Sequence, residues 1–321
     1  MPRTGFGELR VHLRTLQCLG VLRFDIDFDK CLVRIEASEQ RRTRWFLAGV
    51  TVFSCSLIIY SCWYPEHFIM GKHNNTGNCY ALINFRSCAL TTLLVYIQLY
   101  ARRCRFAKLL QSMMNLNQIC INDNGISSFG FPYILHLVLF VICMLNYAHG
   151  YWVAGVSWIT IPIYLLQYGF SYLILGQLVV LFACFQRILL STLRHYNRTL
   201  LNNLKLGGME SGKLYENFRD YNQLLWLSHE EINQCFGLLL LPITGFALLI
   251  TPSGPFFLVS TIFEGRFRQA WRFVFMSLTA SFWSVPWVTL LVLMMGTTNV
   301  QQEVSNRTIG SFESALSYHN H

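Results

Sequence analysis

Six long apolar stretches run through the 321-residue chain, and they constrain its fold more than any motif does. A helix of about 20 apolar residues crosses the hydrocarbon core of a bilayer while satisfying its own backbone hydrogen bonds. The pattern therefore predicts an all-α, polytopic transmembrane helical bundle. The predicted spans are residues 45–63, 79–99, 131–149, 158–184, 236–263 and 273–295.

The composition favours one membrane domain over two soluble domains. The chain is 53% hydrophobic and 13% charged, and its mean hydropathy is positive, +0.38. Soluble globular domains rarely combine these values. We predict the following division: a cytoplasmic N-terminal segment over 1–44, the bundle over 45–295 with a cytoplasmic helical segment at 185–235, and a cytoplasmic tail over 296–321.

Positive charge is distributed unevenly across the predicted membrane. With the N-terminus in the cytoplasm, twenty of the 25 Lys and Arg residues fall in cytoplasmic segments and four in outer segments, while Arg86 lies within the second span. Cytoplasmic loops of membrane proteins carry such an excess of basic residues. The pattern predicts a multi-pass plasma-membrane protein with a cytoplasmic N-terminus. The even number of spans places the C-terminus on the same side.

This orientation bears on two classes of protein. The net charge of +9 follows the membrane topology, so it does not indicate a nucleic-acid partner. G-protein-coupled receptors have seven spans with the N-terminus outside, which is the opposite sense. The charge pattern therefore argues against that class.

No pattern in the chain indicates catalysis, a cofactor or a metal. The sequence has no metalloprotease, hydrolase, phosphate-loop or dinucleotide motif, and its eleven cysteines include no C-x-x-C pair. Cys62 and Cys79 flank the first outer loop, where they could form a disulfide or remain free thiols. The sequon at Asn74 in that loop is a candidate for glycosylation. We expect a protein that is not an enzyme.

Polar and aromatic residues are concentrated in the outer halves of the predicted spans. Polar groups inside a membrane helix are costly and generally face the protein interior or a water-filled cavity. Aromatic walls with a few polar groups suit a small, mostly apolar ligand, although Tyr and Trp also anchor helices at membrane interfaces. The candidate pocket residues are Asn84, Arg86, Asn146, Tyr147, Tyr164, Tyr168, Phe282 and Trp283.

Prolines interrupt the fifth predicted span. Pro242 lies within it, and Pro252 and Pro255 follow close to its outer end. Proline lacks a backbone donor and bends or ends a helix. Either a long tilted helix or a helix followed by a re-entrant outer segment fits the pattern.

An amphipathic helix is predicted from residue 214 into the fifth span. Its apolar residues recur at helical spacing and require a partner within the subunit or on another one, unless the helix lies on lipid. They are Leu214, Phe218, Tyr221, Leu225, Ile232 and Phe236.

The stretch LYENFRDYNQLLWLSHEEINQCFGLLLL at 214–241 resembles the entry to the fifth span of insect gustatory receptors. The spacing of Glu303, Arg307 and Thr308 is similar to the segment that follows their sixth span. The layout of the whole chain, with a cytoplasmic N-terminus and short outer loops, also matches. The related insect odorant receptors share this topology.

The resemblance implies a chemosensory, ligand-gated cation channel. It implies a tetramer, formed with itself or with other gustatory receptor subunits, that detects small-molecule tastants in an outward-facing pocket. In that family a seventh span lines the pore, and this chain shows no seventh span before His321. We therefore expect a sensing bundle truncated before its pore helix. The alternatives are an odorant-receptor relative and a six-span transporter without channel activity.

Overall fold

The computed structural model describes residues 6–22, 24–28, 30, 32–35, 37–68, 75–121, 130–153, 158, 160–205, 219–220, 222–224, 226–263 and 270–295. Helices make up most of these residues. They are α1 (Phe6–Cys18), α2 (Ala37–Trp63), α3 (Asn75–Ala101), α4 (Arg103–Ile121), α5 (Gly130–Val153), α6 (Thr160–Lys205), α7 (Ile232–Ile250), α8 (Ser253–Phe263) and α9 (Ala270–Met295).

Five stretches of described helix are long and apolar enough to cross a membrane. They are Arg41–Trp63, Cys79–Ala101, Phe131–His149, Thr160–Tyr196 and Ile232–Phe256. A sixth and shorter apolar stretch, Ser284–Met295, lies in the described part of α9. The first five overlap the first five predicted spans, with the fourth extending to Tyr196 and the fifth running over Ile232–Phe256, and the sixth predicted span forms helix as well. The predicted all-α membrane bundle is confirmed.

Helix α6 is longer than the bilayer requires. Its 46 residues correspond to about 70 Å of helix, roughly twice the hydrocarbon thickness. The side chains of its central part are almost all buried, including Leu178, Val179 and Leu181. Helix α6 therefore forms the centre of the bundle, in contact with α1, α3, α4, α5, α7 and α9.

The fifth span is broken at its prolines. Helix α7 includes Pro242 and ends at Ile250, and α8 begins at Ser253 after a two-residue turn. Neither of the two arrangements that the sequence left open describes this fully: a second helix follows α7, and the apolar stretch Ile232–Phe256 runs across the break. Before α7, Leu227–Glu231 forms one π-helical turn that leads into it without interruption. Ile232 and Phe236 of the predicted apolar stripe are buried.

The side chains of the other four stripe residues lie outside the described part of the chain. They are Leu214, Phe218, Tyr221 and Leu225.

Helix α1 packs against the membrane bundle, a contact that the sequence did not reveal. Leu9, His12, Leu13 and Leu16 recur on one helical face and are fully buried. The helix touches α5 and α6. The N-terminal segment is therefore part of the packed structure and not a loose extension.

A short hairpin follows α1 and is a small β addition to the predicted all-α fold. Strands β1 (Asp25–Asp27) and β2 (Leu32–Arg34) pair antiparallel, with Ile26 opposite Val33. The backbone N–H of Val33 donates to Gln111 Oε1 on α4 at 2.8 Å. This bond attaches the hairpin to the bundle.

Two buried histidines connect α1, α5 and α6. His12 Nε2 donates to the backbone oxygen of Gln177 at 3.1 Å, and Gln177 Nε2 donates to His136 Nδ1 at 2.8 Å. The imidazole of His136 occupies the space beside Gly176, where a Cβ atom would overlap with His136 Nε2. The absence of a side chain at Gly176 therefore allows this network to form.

We expect Gly176→Ala to destabilise the bundle by about 1–3 kcal/mol, because the added methyl group displaces His136. Gly237→Ala is a matched control, since a Cβ there meets no atom within 4 Å and alanine is the better helix former by about 0.5–1 kcal/mol. Thermal unfolding of the detergent-solubilised protein should show a lower midpoint for the first variant only. Equal midpoints would contradict the packing at His136.

A pH dependence follows from His12. Burial lowers the pKa of His12 from 6.5 to about 4, an effect only partly offset by its hydrogen bond to Gln177. The folded protein therefore binds fewer protons than the unfolded chain. As the pH falls from about 6.5 to about 4, protonation of His12 in the unfolded chain lowers the free energy of unfolding. The loss amounts to roughly 3 kcal/mol.

Thermal unfolding between about pH 7 and pH 4.5 measures this loss. The variant His12→Gln cannot titrate but can still donate to the Gln177 carbonyl. Its midpoint should fall less with decreasing pH than that of the wild type. Parallel curves for the two proteins would show that His12 is not the titrating group.

Candidate functional site

Three consecutive residues of α3 contact three different neighbours. Successive side chains of an α-helix point about 100° apart, so Asn84, Phe85 and Arg86 face different directions. Asn84 bonds to α8, Phe85 packs against α6, and Arg86 bonds to α2. The N-terminal half of α3 is therefore where these helices meet.

Arg86 is bonded to the C-terminal end of α2. Its Nε donates to Ser61 Oγ at 3.0 Å and its Nη2 donates to the Ser61 backbone oxygen at 2.8 Å. Ser61 is fully buried, and its hydroxyl donates in turn to the Ile58 backbone oxygen at 2.7 Å. Since the C-terminus of a helix carries partial negative charge, this end of α2 stabilises the guanidinium. These bonds join α2 to α3.

Asn84 bonds to the first residue of α8. Its Nδ2 donates to Ser253 Oγ at 2.9 Å, and both side chains are buried. Among the described residues, Asn84 Oδ1 has no hydrogen-bond partner. A buried acceptor without a partner is costly, which makes this oxygen a candidate to accept a hydrogen bond from a ligand.

The break between α7 and α8 exposes backbone carbonyls that other helices satisfy. Pro255 has no N–H to donate to Thr251 four residues earlier. The Ser284 hydroxyl of α9 donates to the Thr251 oxygen instead, at 2.6 Å. The Tyr80 hydroxyl of α3 donates to the Leu249 oxygen. The proline break is therefore held by hydrogen bonds from α3 and α9.

Five aromatic side chains from the outer ends of the helices form one contiguous group, here called the aromatic cluster. Phe85 lies 5.4 Å from Tyr164 and 6.1 Å from Tyr168 between ring centroids. Tyr168 stacks on Tyr147 at 5.5 Å. Phe68, from a short helical turn after α2, lies 4.6 Å from Phe85, and its backbone oxygen accepts the Tyr164 hydroxyl at 2.9 Å.

The aromatic cluster is tightly packed. Tyr147, Tyr164 and Tyr168 are 2–5% exposed, and Phe68 and Phe85 are fully buried. Edge-to-face and stacked ring pairs each contribute beyond the area that they bury. A ligand that enters here therefore has to replace ring–ring contacts and separate the helices that supply them.

A polar row continues from the cluster between α3 and α6. Thr92 Oγ1 lies 2.7 Å from Ser171 Oγ, and Gln167 Nε2 donates to the same Ser171 oxygen at 3.1 Å. All three side chains are buried. Within the described part of the chain, Gln167 Oε1 has no hydrogen-bond partner. The row adds a second buried acceptor on α6, in the residue that precedes Tyr168.

The structure brings together only part of the predicted pocket. Tyr147, Tyr164 and Tyr168 meet in one cluster, and Asn84 lies on the adjoining face of α3. Arg86 faces α2 instead.

The remaining candidates have different outcomes. Asn146 is half-buried on α5. Phe282 and Trp283 belong to α9, but their side chains lie outside the described part of the structure, as does all of Asn74. The thiols of Cys62 and Cys79 are free and exposed, so no disulfide joins them.

Sequence reasoning missed Phe68, Phe85 and Ser253. Phe85 lies between two predicted residues and is apolar in an apolar span, so its type gave no signal. Phe68 falls in the first predicted outer loop, and Ser253 lies between the two prolines that interrupt the fifth span. The helical phase of α3 indicates that Phe85 points in a different direction from Asn84 and Arg86, but not which helix it contacts.

The fold and the site together define a polytopic helical membrane protein with a closed aromatic and polar cluster between its outer helix ends. A family model described as 7tm Chemosensory receptor matches residues 9–315. The chain belongs to this chemosensory receptor family, and within it to the insect gustatory receptors, as the resemblance at 214–241 predicted.

Two relatives come from Drosophila melanogaster. The chain is 63% identical over 308 residues to gustatory and pheromone receptor 39a, isoform D, covering 96% of this chain and 80% of the relative. It is 35% identical over 301 residues to isoform A of the same receptor, covering 94% of this chain and 78% of the relative. The family and the spanning helices identify a multi-pass plasma-membrane receptor, and the family is not one of enzymes.

The bond between Asn84 and Ser253 can be measured with a double-mutant cycle. We expect Asn84→Ala and Ser253→Ala to be coupled by about 1 kcal/mol in thermal or denaturant unfolding, since they share one buried hydrogen bond. The control cycle pairs Asn84→Ala with Thr289→Ala, whose hydroxyl bonds within its own helix to Val285. That pair should be additive. Additivity in both cycles would contradict the contact between α3 and α8.

Proposed function

We propose that the chain is a subunit of a ligand-gated cation channel that detects small-molecule tastants through the aromatic cluster and Asn84. Membership of the chemosensory receptor family supports a small-molecule ligand. The printed names of both relatives describe gustatory and pheromone receptors. We propose that this chain, too, takes part in tastant recognition and in channel gating.

One observation carries the location of the ligand site. Two buried acceptors, Asn84 Oδ1 and Gln167 Oε1, belong to residues next in sequence to Phe85 and Tyr168 of the cluster, and they have no partner within the described residues. Stacking surfaces next to unused hydrogen-bond acceptors suit an organic molecule that carries hydroxyl or amine donors. A ligand with such donors gains both interactions when it displaces packed side chains.

The same site connects the helices that a ligand would move. A ligand between Tyr147 and Tyr168 separates α5 from α6, and Phe85 transmits this displacement to α3. On α3, Asn84 is hydrogen-bonded to Ser253 at the break after α7. Ser284 of α9 is hydrogen-bonded to Thr251 at the same break. A ligand can shift a conformational equilibrium only by binding the two states differently. A ligand that displaces the packed rings binds only the state in which the aromatic cluster is open, so its affinity differs between the two states.

We propose that subunits assemble through their cytoplasmic helix ends into homo- or heterotetramers with other gustatory receptor subunits. Support comes from a polar network at the start of α7. Arg102 donates to the Gln234 backbone oxygen, Arg105 Nη1 donates to Gln234 Oε1 at 3.2 Å, and Gln234 Nε2 donates to Glu230 Oε1 at 2.6 Å. This network holds the start of α7 against α4. Nearby, the Trp226 side chain is 57% exposed, which leaves an aromatic surface for contact with another subunit.

Ligand responses of variants test the proposed site. The full chain is co-expressed with a partner gustatory receptor in heterologous cells, and currents are recorded with sugars, bitter alkaloids and long-chain hydrocarbons. Tyr168→Leu removes a stacked ring from the cluster, and we expect the concentration for half-maximal response to rise about 30-fold or more. Surface labelling confirms that each variant reaches the membrane.

Trp158→Leu is the control, because that ring is 76% exposed and lies outside the cluster. Its response should stay within about threefold of the wild type. An unchanged response in Tyr168→Leu, or an equal loss in both variants, would show that the cluster is not the ligand site. Absence of any ligand-evoked current with all partners would contradict the channel proposal itself.

A further inference from the structure

A cavity lies at the end of the bundle opposite the aromatic cluster. The turn after α1, the start of α2, the end of α3 and the start of α4 enclose it. Its walls are mainly aliphatic and aromatic, and its volume is about 30 Å³, enough for a short length of hydrocarbon chain or for about two water molecules. The lining residues include Gly20, Thr43, Leu47, Leu99, Tyr100 and Arg103.

The walls of this cavity are held in place by specific contacts. Gly20 has a φ of +70°, and a Cβ atom there would lie 2.6 Å from the ring of Phe46. The Tyr96 hydroxyl donates to the Leu19 backbone oxygen at 2.8 Å, and the rings of Tyr96 and Phe46 are 5.6 Å apart. The turn after α1 is therefore fixed against α2 and α3, so the cavity belongs to the folded structure.

Two guanidinium groups lie beside Tyr100 at the rim of the cavity: Arg103 is itself a lining residue, and Arg44 is next to Tyr100 without lining the cavity. The Tyr100 side chain interacts with both Arg44 of α2 and Arg103 of α4. The Arg103 guanidinium carbon lies 4.7 Å from the centroid of the Tyr100 ring. A phosphate next to two such groups forms charge-assisted and bidentate hydrogen bonds. The rim is therefore complementary to a phosphate.

The position of the rim relative to the membrane fits a lipid headgroup. Arg44 is exposed close to the first residues of the first span, and its neighbour Trp45 is 74% exposed. Exposed Trp beside Arg is typical of the membrane–water interface. On the orientation that the charge distribution predicts, this is the cytoplasmic leaflet, which carries the anionic lipids.

We propose that this cavity binds an anionic glycerophospholipid of the cytoplasmic leaflet. The lipid phosphate lies between Arg44 and Arg103, and the adjoining part of an acyl chain enters the apolar slot beside Leu47 and Leu99. Bound there, the lipid joins the N-terminal turn, α2 and α4 at one point. The ligand and the site are distinct from the tastant and the aromatic cluster.

Lipid retention by the purified full chain tests this proposal. The protein is reconstituted in nanodiscs of phosphatidylcholine with a minor fraction of phosphatidylserine, extracted, and analysed by native mass spectrometry. We expect phosphatidylserine to be retained in preference to phosphatidylcholine. Neutralising both arginines in Arg44→Gln/Arg103→Gln should lower retention about 25-fold, since each basic group near the membrane surface contributes about fivefold.

Two further variants separate a specific site from surface charge. Arg41→Gln/Lys108→Gln removes two exposed basic residues of α2 and α4 that do not line the cavity, and it should retain phosphatidylserine as the wild type does. Thr43→Phe keeps both arginines and obstructs the slot, so it should lose the lipid. The charge-conserving Arg44→Lys/Arg103→Lys variant should keep most of the binding and confirms that the site folds.

Three results would overturn the proposal. Equal retention in the wild type and Arg44→Gln/Arg103→Gln would exclude the arginine rim, and equal loss in the Arg41→Gln/Lys108→Gln control would indicate general surface charge. Displacement of phosphatidylserine by millimolar inorganic phosphate, together with normal binding in Thr43→Phe, would indicate an anion site that makes no use of a lipid chain.

Discussion

The structure depends on hydrogen bonds that α3 makes inside the membrane, where no water is available to replace them. Arg86 and Asn84 are both polar, and each carries a desolvation cost that only a partner on another helix can offset. Arg86 obtains its partner from α2 at Ser61, and Asn84 obtains its partner from α8 at Ser253. Phe85, between them, packs against α6. Because these side chains are one residue apart, the orientation of α3 about its own axis is fixed by three helices at once.

The proline break after α7 extends the same constraint to α9. A helix that lacks an N–H donor leaves a carbonyl oxygen without its partner, and in a bilayer that oxygen has to find another donor within the protein. Ser284 supplies one for Thr251, and Tyr80 supplies one for Leu249. The break is therefore a junction of three helices, so a change at the aromatic cluster can reach α9 through groups that are already bonded.

Helix α3 also connects the two ends of the receptor. Its outer half supplies Asn84 and Phe85 to the proposed tastant site, and its inner end supplies Tyr96, Leu99 and Tyr100 to the proposed lipid cavity. A buried polar row at Thr92 and Ser171 holds the middle of α3 against α6. Such a helix moves as a unit more readily than it bends. Lipid at the inner end and tastant at the outer end would therefore act on the same element.

The sequence by itself determined the membrane bundle and the receptor family, and it predicted the orientation. Long apolar runs leave a chain few alternatives in a bilayer, and the stretch at 214–241 carries the family resemblance. It also predicted that Tyr147, Tyr164 and Tyr168 belong to one pocket. Only the tertiary structure decided that Arg86 turns to α2, that Phe68 and Phe85 complete the aromatic cluster, and that α1 packs into the bundle. Those outcomes depend on the rotation of each helix about its axis and on partners far along the chain, and neither is encoded in local spacing.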